Sequence, residues 1–266
     1  MIKSTLDIGF KGYLKSISFL WNHKILWPYL LLPITSGLTD LYLKNRLYLQ
    51  INFPQFPLIP EHLNPMLPAI GILIGTLGAA LIIIHSFALL SEKQTSIGET
   101  FKTLFTRLLP VLLWASICVL ALYLDHYITT YASSYLDKDE FRGIMAMLIK
   151  TSYAILKIGI QAITLLILPV LIFEQKPLFE AFKRGISLSK ELIWAIIGGY
   201  LAIMGVGFIF SPLVLIATLF IDRLQLVDPI RILLTWIFLS PLVLIACASF
   251  VFQAKLYHDY YKEMPE

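Results

Sequence analysis

Few residues of this 266-residue chain are of a type that does chemistry, and most of those lie in apolar surroundings. The histidines are His23, His62, His85, His126 and His258. No two stand three or four residues apart, the spacing that sets two imidazoles on one helix face around a metal. Cys118 and Cys247 each sit inside an apolar run, so neither disulfide pairing nor a thiolate metal site is expected. The chain contains no His-Glu-x-x-His, Cys-x-x-Cys, phosphate-cradling glycine loop or Gly-x-Ser-x-Gly. The sequence therefore predicts no catalytic residue, no metal ligand set, no cofactor and no enzyme.

What remains is polarity inside apolar runs, where burying a charge in lipid is costly. Lys157 stands out, with Lys150 two turns earlier and Gln161 one turn later on the same helical face. Such a face could line an anion-attracting cavity. Equally, Lys157 could snorkel to outer headgroups or pair with Asp125. His85 could make an interhelical hydrogen bond or relay a proton. No Asp or Glu falls in the middle of an apolar run, which argues against a proton- or sodium-coupled carrier. Ser-Pro-Leu-Val-Leu-Ile-Ala occurs twice, at Ser211–Ala217 and Ser240–Ala246. Pro212 and Pro241 are thus candidate helix breaks, either packing kinks or paired interruptions at a substrate site. Gly71 and Gly75, then Gly198, Gly199, Gly205 and Gly207, are small residues of the kind that let helices approach closely.

The elements that must position these residues are membrane helices. Hydrophobic residues make up 58% of the chain and charged ones 14%, against near half and about a quarter in soluble domains. That composition excludes a soluble globular protein, a disordered chain and a nucleic-acid binder. A bilayer core of about 30 Å takes about 20 apolar helical residues. Six runs qualify: Ile25–Tyr42, Leu67–Leu90, Leu109–Tyr127, Ser152–Phe173, Ile193–Ile221 and Ile232–Phe252. With both termini in the cytoplasm the inner segments carry 13 Lys and Arg and the outer loops six, so the positive-inside rule places the N- and C-termini inside. The outer segments are a Pro-rich extended stretch, Asn45–Pro65, and a solvated loop, Ser133–Arg142.

Three inner segments carry a helical period with one apolar stripe. In the first, Leu6, Phe10, Tyr13, Leu14, Ile17, Leu20 and Trp21 alternate with Asp7, Lys11, Lys15 and Ser18. Ile97, Phe101, Leu104, Phe105 and Leu108 form the second stripe, and Leu178, Phe179, Phe182 and Ile186 the third. Each contains a Phe-Lys pair and leads to a Trp near the start of a span. The expected fold is all-α: a single polytopic membrane domain over 1–266, built of three parallel pseudo-repeats at 1–91, 92–173 and 174–266. Each unit is an amphipathic interfacial helix followed by a two-span hairpin. The amphipathic helices should lie along the inner headgroup layer. In the fifth run, 29 residues long, the chain should kink at Ser211-Pro212.

The segment Pro177–Trp194, PLFEAFKRGISLSKELIW, resembles a motif of bacterial polytopic membrane families, the YciC-like inner-membrane proteins and the membrane domain attached to some glycerophosphodiester phosphodiesterases. Glu180, Ala181, Lys183 and Arg184 match, with Phe182 in place of a leucine and Gly185 in place of a serine. The ending Leu256-Tyr257-His258-Asp259-Tyr260-Tyr261-Lys262 is similar to those families' tyrosine-rich closing segment. The opening FKGYLKSISFLWNHKILWPYLLLP is similar to their starts and to the sulfate-permease-like CysZ group. The resemblance implies a bacterial inner membrane and a six-helix fold, and carries over no activity. The expected role is a scaffold or homeostasis factor whose partners are the lipid bilayer and either its own copies or other membrane proteins. The alternatives are a permease or channel for a small, anionic solute and, last, an enzyme acting on lipid.

Overall fold

The computed structural model describes residues 2–33, 36, 66–136, 144–223 and 228–263, and among them all regular structure is helical. In chain order the elements are α1 (Ile2–Asn22), a 3-10 turn (Lys24–Leu26), α2 (27–33), α3 (Met66–Leu90), α4 (Ile97–Thr106), α5 (Leu108–Leu136), α6 (Ile144–Thr164), α7 (Ile167–Phe173), α8 (Leu178–Glu191), α9 (Ile193–Arg223) and α10 (Asp228–Glu263). Among the described residues four stretches are long and apolar enough to cross a membrane: Ala69–Leu90, Leu108–Asp125, Thr151–Phe173 and Ile193–Phe210. Of the predicted first span, residues 34–35 and 37–42 lie outside the described residues, as does the Pro-rich stretch 45–65. The predicted sixth span falls within α10, which runs unbroken past both of its ends. Ser133–Leu136 continues α5, so the first four residues of the predicted loop are helical, and residues 137–142 lie outside the described residues.

The helices begin and end for local reasons. Ser96 and Glu99 form a reciprocal capping box at the start of α4: Glu99 N–H donates to Ser96 Oγ at 3.2 Å, and Ser96 N–H to Glu99 Oε2 at 2.9 Å. α3 ends with Glu92 in the left-handed region, φ 56°, and Lys93 N–H reaching back to the Ala88 carbonyl at 3.0 Å. Gln175, φ 55°, ends α7 in the same region. Neither is glycine, and a left-handed side-chain residue costs about 1–2 kcal/mol, so both turns are held by their surroundings. One non-helical residue, Arg107, joins α4 to α5, and one, Leu192, joins α8 to α9. In each junction an amphipathic helix runs almost directly into an apolar one.

α1 departs from the expected picture. Its buried stripe is Gly9, Gly12, Tyr13, Ser16 and Leu20, facing α9 and α10 rather than lipid. A Cβ on Gly9 would overlap the Ala195 carbonyl, and one on Gly198 would overlap the Leu6 carbonyl, so the two backbones touch. Tyr13 donates its hydroxyl to the Ile245 carbonyl at 2.6 Å and sets its ring edge-on to Phe252. Farther along, Ile17, Leu20 and Trp21 border the same apolar cavity as Val206 and Phe210. The predicted stripe splits: Tyr13 and Leu20 are buried in protein, while Phe10, Leu14 and Trp21 stay exposed. The glycines explain this. They remove the side chains that would hold the helices apart, so the tightest face is the one with the least hydrophobic bulk.

α9 has 31 residues, about 46 Å at about 1.5 Å each, well beyond a core of about 30 Å. The stretch long and apolar enough to cross a membrane, Ile193–Phe210, is its first part, where Ala195, Ile196, Gly198, Gly199 and Ala202 are buried by neighbouring helices. α9 runs as one helix through Pro212 and α10 as one helix through Pro241. Both prolines lie inside helices rather than at their ends.

A break lies in the stretch Thr151–Phe173, the predicted fourth span, at Leu165-Leu166 between α6 and α7. Pro169 accounts for it. It has no N–H to give to the Leu165 carbonyl four residues back, and its ring would collide with that carbonyl in a continuous helix. The α8 backbone closes on the break: a Cβ on Gly185 would stand 2.8 Å from Ile167 Cα. Leu166, Ile167, Leu168, Val170 and Leu171 around the break are buried in the core.

Candidate functional site

Three polar clusters tie the helices together. At the first, His85 of α3 is fully buried, with Nδ1 2.8 Å from Thr100 Oγ1 of α4 and 3.2 Å from the Tyr29 hydroxyl of α2. Thr100 also donates to the Ser96 carbonyl at 3.1 Å, joining His85 to the capping box. Tyr29 packs its ring between His85 and Phe101. The expected interhelical bond is therefore present and joins three elements. His85 Nε2 has no hydrogen-bond partner among the described residues, and neither do Ser86 Oγ of α3 and Ser189 Oγ of α8. Each such buried group costs about 1–3 kcal/mol if left unpaired.

The second cluster joins α5 and α6. Lys157 Nζ lies 2.7 Å from Asp125 Oδ2, and the Tyr153 hydroxyl donates to Asp125 Oδ1 at 2.5 Å. Of the alternatives for Lys157, the structure realises pairing with Asp125; Tyr153 is a partner that sequence reasoning missed. Gln161 is exposed on the same helix, and neither it nor Lys157 lines the cavities described below. With the Lys157 side chain 49% exposed and that of Asp125 23%, the pair should contribute at most about 1 kcal/mol. Lys157→Met should accordingly leave the midpoint of unfolding within about 3 °C of wild type in detergent. A shift beyond about 8 °C would show that the pair holds the hairpin.

The third cluster brings Arg184 of α8 together with Tyr257 and Tyr260 of α10 around Glu174. Glu174 caps α7, just before the left-handed Gln175. Its carboxylate lies 2.7 Å from Lys176 Nζ and 3.5 Å from Arg184 Nε, and accepts the Tyr257 hydroxyl at 3.3 Å. Arg184 reaches on to Tyr260, donating to its hydroxyl at 3.4 Å with the guanidinium 5.7 Å from the ring centre. Burial and then the Glu174 carboxylate push the Tyr257 phenol far above its usual range, so it stays a protonated donor. Below the carboxylate, Phe87, Phe173 and Tyr257 meet ring to ring, with centroids 4.3 Å apart for Phe87–Phe173 and 5.4 Å for Phe173–Tyr257. His258 sets its ring edge-on to Phe87. The sequence signal for Glu174 was one acidic residue closing an apolar run, which composition alone does not single out.

One to two turns farther into the helices lies a cavity of about 290 Å3, walled by α3, α5, α6, α7 and α10. Thr76, Trp114, Thr164 and Gln253 supply its polar groups among apolar side chains such as Leu168 and Phe250, and no ionisable residue lines it. Leu165, at the helix break, lies in its wall. Thr76 and Thr164 return their hydroxyl protons to their own helices at 2.8 and 2.9 Å. Gln253 is 7% exposed, and its amide makes no hydrogen bond among the described residues. A second cavity, about 500 Å3 and largely apolar, lies between α1, α2, α9 and α10. A third, about 320 Å3, separates Lys11 and Lys15 of α1 from Lys255 and Asp259 of α10. Among the described residues no group of three His, Cys, Asp or Glu is placed to hold a metal ion. No family model matches the chain, and no curated protein or solved structure matches it either.

Proposed function

We propose that the protein is a non-enzymatic integral protein of a bacterial inner membrane that serves as a scaffold, assembly or membrane-homeostasis factor. One observation carries this reading. The chain's charged and aromatic side chains engage one another across helices, while large apolar side chains stay exposed beside lysines on the segments assigned to the inner face. Phe179 of α8 is 80% exposed near Lys183, and Phe105 of α4 is 68% exposed near Lys102. Such a surface suits the layer between headgroups and acyl chains. In this reading six spans form three parallel units with both termini cytoplasmic. The matching one-residue junctions at Arg107 and Leu192 and the excess of inner lysine and arginine support that arrangement. The partners are the bilayer and either further copies or other membrane proteins. The motif around Glu180, Ala181, Lys183 and Arg184, similar to that of the YciC-like proteins, agrees with it.

A permease for a small solute is the second reading, favoured by the cavity beside the broken fourth span. The two separate in proteoliposomes. As a scaffold, the reconstituted protein should release entrapped radiolabelled sulfate or phosphate no faster than protein-free vesicles, and a deletion strain should show altered phospholipid composition. A saturable flux that Thr76→Phe removes would put the permease in its place.

A further inference from the structure

We infer that the cavity walled by Thr76, Trp114, Thr164, Leu168, Phe250 and Gln253 binds a neutral membrane amphiphile: a glycerolipid without phosphate, whose hydroxyl or ester group meets the Gln253 amide. The inference goes beyond the scaffold role and does not depend on it.

The lining sets the chemistry of the ligand. No ionisable side chain reaches the cavity, so a charged headgroup would find no counterion in a site of low dielectric. Most of the wall is apolar, which fits a hydrocarbon body. Against that wall stands the amide of Gln253, with two donors and an acceptor, on a residue that is 7% exposed and makes no hydrogen bond among the described residues. Trp114 adds an indole N–H as a donor type in the same wall. A hydroxyl or ester is complementary to this set, whereas a bare alkane would leave the amide unpaired.

The surroundings set the route. On α10, Tyr257 lies one turn beyond Gln253, and its ring joins Phe87 and Phe173 in a contiguous aromatic layer. The Glu174 network with Lys176, Arg184 and Tyr257 covers that layer. A ligand therefore enters between the apolar helices, from lipid, and not past the charged cluster. The size agrees: about 290 Å3 equals the liquid volume of about ten waters, enough for a glycerol region and the first methylenes of a chain. The broken span makes room for it, because the Leu165–Leu168 turn stands in the wall where a continuous helix would present another side-chain row.

The test uses the intact wild-type protein in mixed micelles with a monoacylglycerol carrying a chain diazirine. After irradiation, peptide mapping should place label on α3 near Thr76, on α7 near Leu168 and on α10 near Phe250. That labelling should exceed labelling at the lipid-facing Phe208 at least five-fold. Excess unlabelled dioleoylglycerol should compete, and excess phosphatidylglycerol should not. Gln253→Leu should lower cavity labelling at least five-fold with Phe208 labelling unchanged, an internal reference for a folded protein. Thr76→Phe, which fills the space, should do the same by bulk. Labelling of the cavity no greater than at Phe208 would overturn the proposal and leave water as the occupant. Equal competition by phosphatidylglycerol, or labelling indifferent to both variants, would overturn it too.

Discussion

Gly198→Ala should destabilise the protein by at least about 1–3 kcal/mol, while Gly205→Ala, seven residues along the same helix, should stabilise it by about 0.5–1 kcal/mol. The chemical change is the same, and the surroundings reverse its sign. A Cβ on Gly198 meets the Leu6 carbonyl, backbone on which no rotamer change can make room, so α1 and α9 must move apart. Parting them loosens Tyr13 from Ile245 and Phe252, contacts that depend on the same approach. A Cβ on Gly205 meets nothing within 4 Å, so only the gain in helix propensity remains. Reversible unfolding in mixed micelles would measure both, and proteolysis at Lys11 and Lys15 should accelerate in the Gly198 variant alone. Gly9→Ala clashes with Ala195 at the same interface. The double variant Gly9→Ala/Gly198→Ala should therefore cost less than the sum of its parts, since the second clash falls on helices already displaced. Matching effects at Gly198 and Gly205 would mean that α1 is not held against α9 in solution.

Those two glycines show what the sequence could and could not convey. Small residues in the fifth apolar run were readable as a packing feature, and so was the helical period of the first inner segment. The partner was not. A stripe of Tyr13 and Leu20 looks the same on a helix that lies on lipid and on one that lies on protein. Only the position of Gly9 and Gly12 on the buried side decides between them, and glycine adds little to a hydrophobic pattern. The prolines make the same point in reverse. A repeated heptapeptide drew attention to Pro212 and Pro241, yet both sit in continuous helices. Pro169, in an unremarkable run, stands at the break, because Gly185 lets α8 close on Ile167 there. Each proline removes one hydrogen bond locally; whether the helix parts depends on what packs against it. His85 and Lys157 were legible because polar atoms in an apolar run demand partners, though Tyr29, Thr100 and Tyr153 come from other segments and carry no mark of their role. Gln253 was hidden for the opposite reason, since an amide just past an apolar run reads as the beginning of the surface.

Glu174→Gln should cost about 1.5–3 kcal/mol, more than any other single polar substitution in the three clusters. Gln keeps the shape of Glu174 and can still accept the Tyr257 hydroxyl, so the loss is that of the charge. Two cations feel it unequally. Lys176 is 39% exposed, and water screens its share of the pairing. Arg184 is the less exposed of the two and is held between Glu174 and Tyr260 at the join of α8 and α10, so removing the carboxylate leaves it in poorer solvent. Lys176→Gln should accordingly cost under about 1 kcal/mol, and 0.5 M salt should erase most of that cost while leaving the Glu174→Gln effect largely in place. Arg184→Gln should cost less in the Glu174→Gln background than in wild type, because the interaction that it removes is already gone. The structural readout is α10. With the carboxylate neutralised, the end of α10 bearing Tyr257 and Tyr260 is held less tightly to the α7–α8 turn, and amide exchange over Tyr257–Glu263 should quicken. Equal, small and salt-sensitive effects at Glu174 and Lys176 would reduce the cluster to a surface ion pair and leave the aromatic layer of Phe87, Phe173 and Tyr257 as what fixes that end of the bundle.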